Sequence, residues 1–357
     1  MTVWVVLRFS LLTACLLAVS ACSVGERPTL LEAEAGDGPL DAALVASAGP
    51  AGAETDAAAM QEDTTPEPDA TSNSEGEQLA AIDLGDLPPA LVSPLGVVVP
   101  VLGGTETGYL VQTPCGNEQE LLWGQPLREA DVVIDPGHGG DERGAIGPSG
   151  EAEADLNLDV ARRVASTLDS QGISVALSRT GDYRIPVATR AALADRLEAK
   201  VFVSIHHNSP TPVSGPANGP GTEVYVQVGS DASKRLGGLV YEEVLAALSV
   251  FDADWATRSD AGVLTVLNTE GEDAYGIVRR PAVPSVLVEL AYISNSTEAT
   301  VLATPEYRQA AGDALAGAIV RFLQTGEEGS GHIDEPRFFD PSGATGGDEG
   351  CVDPALE

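Results

Sequence analysis

The chain has 357 residues, enough for two average domains, and a formal net charge of −35. The acids are unevenly placed: 15 against one base over residues 23–90, 26 against 15 over 130–325, and nine against one over 326–357, so the flanks carry most of the excess per residue. Such a balance leaves no basic surface to neutralise phosphates and excludes nucleic acid as a partner.

Arg8 precedes an apolar stretch of thirteen residues, Phe9 to Ala21, too short to span a bilayer and of the length of a signal-peptide core. Residues 1–21 are therefore expected to be a signal peptide and the chain to be exported. The stretch closes on Val19-Ser20-Ala21-Cys22, which resembles a bacterial lipobox; the resemblance implies lipidation of Cys22 and a lipoprotein anchored to the outer face of the cell membrane. Ordinary signal-peptidase cleavage would cut the same bond and release a secreted chain. Cysteine parity favours lipidation: with Cys15 removed and Cys22 acylated, Cys115 and Cys351 remain as a pair for an oxidising compartment to bond.

Residues 22–90, rich in Ala, Gly, Pro, Ser, Thr and acids, read as a disordered acidic linker with a root-mean-square reach of about 45 Å. Residues 91–129 read as an N-terminal β extension, with a hairpin over 97–113 turning at Gly103-Gly104. From 131 to 325 strands alternate with helices, which predicts one α/β domain with a mixed, mostly parallel central sheet flanked by helices. Strands are expected at 131–135, 173–178, 201–206, 222–228 and 284–289. Helices are expected at 153–170, 187–199, 230–249 and 304–323, with a hairpin over 263–279. Leu156, Val160, Val164 and Leu168 give the first helix its apolar face, and Thr304-Pro305 opens the last. The acidic, Gly-rich tail 326–357 is expected to be loose except near Cys351.

Three of the four histidines fall in two segments, DVVIDPGHGG (131–140) and KVFVSIHHN (200–208), each an apolar run ending in His. Strand ends of open α/β sheets are where ligands and catalytic groups collect, so the pair points to a metal, against the blander reading of two polar strand caps. A catalytic zinc takes three His or carboxylate ligands and keeps one position open. Glu153, at the start of the first helix, is the candidate third ligand, with Glu151 and Asp155 as competitors and a favourable helix-dipole charge as its structural reading. Glu289 follows three apolar strand residues. A carboxylate there is costly unless paired or catalytic, so it reads either as a general base or as the partner of Arg279 or Arg280.

With these residues assembled, the segment 131–323 resembles the zinc-dependent N-acetylmuramoyl-L-alanine amidases of bacterial cell walls. The matching residues are Asp135-Pro136-Gly137-His138-Gly139-Gly140, Gly150 to Glu153 with Asn157-Leu158, Ser178-Arg179-Thr180, Arg190, Ser204-Ile205-His206-His207-Asn208, Gly221 with Tyr225, and Glu289 with Ser294-Asn295. The resemblance implies a zinc ion held by His138, Glu153 and His206, with Glu289 as the catalytic carboxylate. Its substrate would be peptidoglycan, cut at the amide between the lactyl group of N-acetylmuramic acid and L-Ala of the stem peptide. His207 departs from the small residue usual there. Strand alternation points it away from His206, which leaves it, with Asn208 and Arg179, as a group supporting the ligands or touching substrate. Asn208 and the amides near Gly139 and Gly140 are candidate oxyanion donors. The short Pro- and Gly-rich stretch 208–221 leaves no room for a long plugging helix, so an accessible site is expected unless 252–280 folds over it. Glu270, Glu272 and Asp273 in that stretch read as a solvated hairpin tip, with contacts to stem-peptide cations as the alternative. The competing functions are a non-catalytic peptidoglycan-binding lipoprotein and a zinc peptidase cutting within the stem peptide.

Overall fold

The computed structural model describes residues 87–210, 217, 219–340, 347 and 349–357. The expected signal peptide, Cys22 and the linker as far as residue 86 lie outside them. No helix among the described residues is long and apolar enough to cross a membrane.

The N-terminal extension is an antiparallel sheet of β1 (Ala90–Val92), β2 (Val98–Gly104), β3 (Tyr109–Gln112), β4 (Glu118–Leu121) and β5 (Gln125–Leu127), ordered β4-β3-β2-β1-β5. β1 starts within the expected linker because Ala90 and Leu91 are buried completely. The β2–β3 hairpin is present, but its turn lies past Gly103-Gly104. The Thr105 hydroxyl accepts from the Thr107 and Gly108 amides (3.2 and 2.9 Å), and Gly108 packs so close to the Leu121 carbonyl that a side chain would collide with it.

The main domain follows: β6 (Val132–Pro136), α1 (Glu153–Asp169), β7 (Val175–Leu177), α2 (Val187–Arg196), β8 (Val201–Asn208), β9 (Glu223–Val226), α3 (Asp231–Leu248), β10 (Val263–Leu264), β11 (Val266–Leu267), α4 (Gly276–Arg279), β12 (Ser285–Tyr292), α5 (Ser296–Leu302), α6 (Pro305–Gln324) and β13 (Arg337–Phe338). Its sheet runs β10-β9-β12-β8-β6-β7; only the β9–β12 pairing is antiparallel. The expected mixed, mostly parallel sheet is what the chain forms. Thr304 caps α6 by accepting from the Tyr307 amide (3.2 Å), with Pro305 at its first position.

Strand alternation divides the core. Ile134, Val203, Ile205, Val286 and Val288 face α1, α3 and α6, and Leu156, Val160, Val164 and Leu168 of α1 answer them as the sequence spacing requires. Val133, Phe202, Tyr225 and Leu287 face the other way, packing under β1, β5, α2 and α4. Burying each such side chain stabilises the fold by roughly 1.5–3 kcal/mol.

Two expectations are corrected. The hairpin over 263–279 shrinks to one antiparallel bridge, Leu267 to Asp273, around a turn in which the Asn268 side chain accepts from the Glu270 and Glu272 amides. Val263 and Leu264 instead extend the main sheet beside β9 because both side chains are buried. The tail is not loose over its described residues: β13 pairs with β11, Cys351 is bonded to Cys115, and Leu356 is buried against the N-terminal sheet. Asp353 clamps the junction, accepting from the Thr113 hydroxyl, the Cys115 amide and Asn117 Nδ2 at 2.7–2.8 Å.

Candidate metal centre and active-site cleft

Three strands lay the site out in register. His206 on β8 stands opposite Glu289 on β12, which in turn stands opposite Glu223 on β9, and strand parity puts all three on the same sheet face as Asp135. The chain leaving β6 then turns sharply: His138, Gly139 and Gly140 have φ of 61°, 131° and 63°. A left-handed histidine is costly and is held only where its surroundings over-determine it. Here Arg190 donates to the His138 carbonyl (2.7 Å) and to that of Pro136 (2.7 Å). Arg179, fully buried, donates to the carbonyls of Pro136, Gly137, Gly181 and Ala154 at 2.7–3.0 Å, tying the turn to the start of α1. A side chain at Gly139 would collide with the Tyr183 carbonyl.

That scaffold brings His138, Glu153 and His206 together, each offering a ligand atom within 4.8 Å of the others. Glu153 Oε2 lies 3.2 Å from His138 Nε2, and Oε1 lies 2.9 Å from His206 Nδ1. No other such group of three exists among the described residues. Glu153 is aimed by its neighbours: Oε2 accepts from the Ala145 amide (2.9 Å), and Oε1 from the His207 amide (3.1 Å) and Asn157 Nδ2 (3.3 Å). Although burial opposes ionisation, the two imidazoles hold this carboxyl well below its usual range. Burial also opposes the charged form of His138, but the Glu142 and Glu153 carboxylates, which accept from its ring and attract its charge, overcome it and push the imidazole up to about 9. Glu151 and Asp155, the competing ligands, lie outside the group.

Glu289 completes the cleft. Its Oε2 is buried without a hydrogen-bond partner, and burial, with repulsion from Glu153 and Glu223, raises its pKa well above that of a free carboxyl. It makes no ion pair with Arg279, which instead lies 3.9 Å from Glu272, or with Arg280. The cleft, about 510 Å³, is lined by Gly137, His138, His206, Glu289, Tyr275 and Arg190 among others. The 252–280 stretch walls this cleft through residues 274–280. Glu270 and Glu272 are exposed, as a solvated turn should be, whereas Asp273 is buried and accepts from the Val228 amide (2.9 Å).

The remaining candidates do not reach the cleft. His207 points to the opposite sheet face, between Asn157 Oδ1 (2.8 Å) and the Tyr307 hydroxyl (3.3 Å), and burial pushes its imidazole down to about 4. Its backbone amide supports Glu153, and its ring is buried away from the cleft. The Gly139 amide donates to the Glu142 carbonyl (2.8 Å) and the Gly140 amide to Asp182 (2.7 Å), so these two expected oxyanion donors are already committed, while one N–H of Asn208 Nδ2 is held by Glu223 (2.9 Å). Arg179 is likewise spent on carbonyls.

The residues around Glu223 give no sign of its role as a fully buried carboxylate whose partner Arg337 lies 114 residues away, at 2.7 Å. The one signal was that Arg337 is the sole base of the acidic tail.

Residues 132–321, more than half of the chain, match the N-acetylmuramoyl-L-alanine amidase family. The chain belongs to that family. Among its relatives, Bacillus subtilis (strain 168) YqiI, an uncharacterised protein, is 34% identical over 59% of this chain and 90% of its own length. The N-acetylmuramoyl-L-alanine amidase AmiA of Escherichia coli (strain K12) is 30% identical over 54% of this chain and 75% of its own. Cwp6 from Clostridium difficile is similar in structure, with a TM-score of 0.50 and 25% identity over 57% of this chain and 32% of Cwp6. The N-terminal sheet and the tail of this amidase lie outside the family match.

Proposed function

We propose that this amidase hydrolyses the bond between the lactyl group of N-acetylmuramic acid and L-Ala of the stem peptide, with His138, Glu153 and His206 holding a zinc ion and Glu289 moving the proton. One observation carries the reading: three ligand-type side chains and a buried, unpartnered carboxyl converge in one cleft. Two imidazoles and one carboxylate are a donor set suited to catalytic zinc, and an orphaned carboxyl oxygen beside them suits a group that exchanges protons rather than one that builds the fold. When bound, zinc supplies a Lewis acid for the scissile carbonyl and acidifies the attacking water. Glu289 takes a proton from that water and delivers it to the departing alanine nitrogen. The ionised carboxyl accepts the proton and the acid form delivers it; burial beside Glu153 and Glu223 raises the Glu289 pKa and so favours the delivering form. Arg179 and Arg190 hold the His138 turn in place, while Asn157 and the His207 amide hold Glu153.

The apolar core at residues 9–21 and the lipobox-like Val19-Ser20-Ala21-Cys22 support export and a lipid anchor on Cys22, which would place the domain on the outer face of the membrane, within reach of the wall. Digestion of purified peptidoglycan with the zinc-loaded protein, followed by mass spectrometry, tests the bond. Free lactyl carboxyls with intact stem peptides are expected; peptides cut internally, with the lactyl amide intact, would make the protein a peptidase.

A further inference from the structure

The amidase match stops at residue 321, yet the catalytic cleft does not: Phe339 of the tail lines the same cavity as His138, His206 and Glu289. The tail is built into this position. Arg337 donates to both oxygens of the fully buried Glu223 (2.7 and 3.2 Å) and pairs with Asp260 (3.0 Å), and Glu223 stands in register beside Glu289. A bidentate guanidinium on a carboxylate fixes direction as well as distance. The Arg337 amide donates to the Thr265 carbonyl (3.0 Å) and the Phe339 amide to that of Leu267 (2.9 Å), so the backbone on either side of Phe338 is pinned to β11. The Phe339 ring then stacks on Tyr275 (centroids 5.6 Å apart), which stacks on Tyr225 (5.1 Å). This leaves Phe339 as the outermost of three rings, 45% exposed at the cleft.

We propose that Phe339 is a specificity-determining residue of this amidase, forming with Tyr275 the wall along which the stem-peptide arm of the substrate lies. The assignment to the peptide arm comes from charge. Arg280 lines the same cavity and is exposed, as is Arg279 beside it, whose guanidinium also donates to the Asp273 carbonyl and lies 3.9 Å from Glu272. In a muramoyl peptide the sugars are N-acetylated and the lactyl carboxyl is consumed in the amide, so carboxylates occur only along the peptide. Guanidinium groups beside an aromatic face select a chain that alternates carboxylates with short apolar side chains.

The inference rests on the amidase reading, and calorimetry separates the two. The full-length chain carrying Glu289→Gln, to prevent turnover, is titrated with N-acetylmuramoyl-L-alaninamide and with an N-acetylmuramoyl tripeptide bearing free carboxylates. Adding Phe339→Ala is expected to weaken the tripeptide about 3- to 10-fold and to leave the alaninamide unchanged, and Phe339→Trp is expected to restore tripeptide binding. Unchanged tripeptide affinity in Phe339→Ala overturns the inference, as does equal weakening of both ligands, which would make Phe339 a contact to the sugar or a support of the fold. If the parent chain binds neither ligand, the amidase reading falls with it.

Discussion

Replacing Glu289 with Gln should silence the enzyme and stabilise the fold in the same molecule. The Glu289 Oε2 is buried without a partner, and burial, Glu153 and Glu223 all disfavour its ionised form, with His138 offsetting only part of this. Gln keeps the shape of the side chain but cannot carry a proton on and off. Losing a positioned general acid–base group costs about 10²- to 10⁴-fold in kcat. Removing an ionisable group that the fold solvates poorly should raise stability on the order of 1 kcal/mol, or about 2–4 °C in Tm for a domain of roughly 150–250 residues. Three readings on one preparation check this: stem-peptide release over time, zinc per chain by mass spectrometry, and a thermal melt. Activity within tenfold of wild type would refute the proton-transfer role, and loss of zinc would make Glu289 a ligand.

Asp135→Asn should destabilise by about 3–5 kcal/mol, because it leaves the buried Arg190 guanidinium without its carboxylate at 2.8 Å; a denaturant titration reads this directly. The same pair sets an acid limit. Burial alone would raise the Asp135 pKa, but Arg190 and the Ser178 and Ser204 hydroxyls hold it below the ordinary value of 3.8. Its contribution is therefore complete above about pH 4 and is lost as pH falls through the depressed folded value, a slope that melts taken between neutral and acid pH should show in wild type and not in the variant. Gly144→Ala should weaken zinc about 10- to 100-fold in a competition with a chelator: at φ 68° an added Cβ would lie 2.6 Å from both Glu153 Oε2 and the His138 ring, and the ligands must shift. Reducing the Cys115–Cys351 disulfide, which spans 236 residues, should cost on the order of 2–5 kcal/mol and lower Tm without removing zinc.

The candidate site was legible because local pattern and strand position agree. His138, His206 and Glu289 each follow an apolar run, although β8 and β12 continue past His206 and Glu289 to Asn208 and Tyr292, and Glu153 opens the helix whose Leu156, Val160, Val164 and Leu168 face is plain in the sequence. Strand parity also separated His206 from His207 correctly, since the two rings face opposite sides of the sheet. What stayed hidden depends on pairing between distant segments. Nothing local to Arg337 says that it reaches Glu223, nor that Asp353 holds the Cys115 turn, and composition made the tail look uniformly polar. The backbone oxyanion donors were misplaced for a related reason: the Gly139 and Gly140 N–H groups are aimed at Glu142 and Asp182, which no residue pattern reveals.

A crystal of the zinc-loaded protein, measured at the zinc absorption edge, locates the metal. One anomalous peak per chain is expected, contacted by His138, Glu153 and His206, with the Glu289 carboxyl nearby but unligated and His207 turned away. A peak elsewhere, or one bound by Glu289 in place of Glu153, would contradict this ligand set.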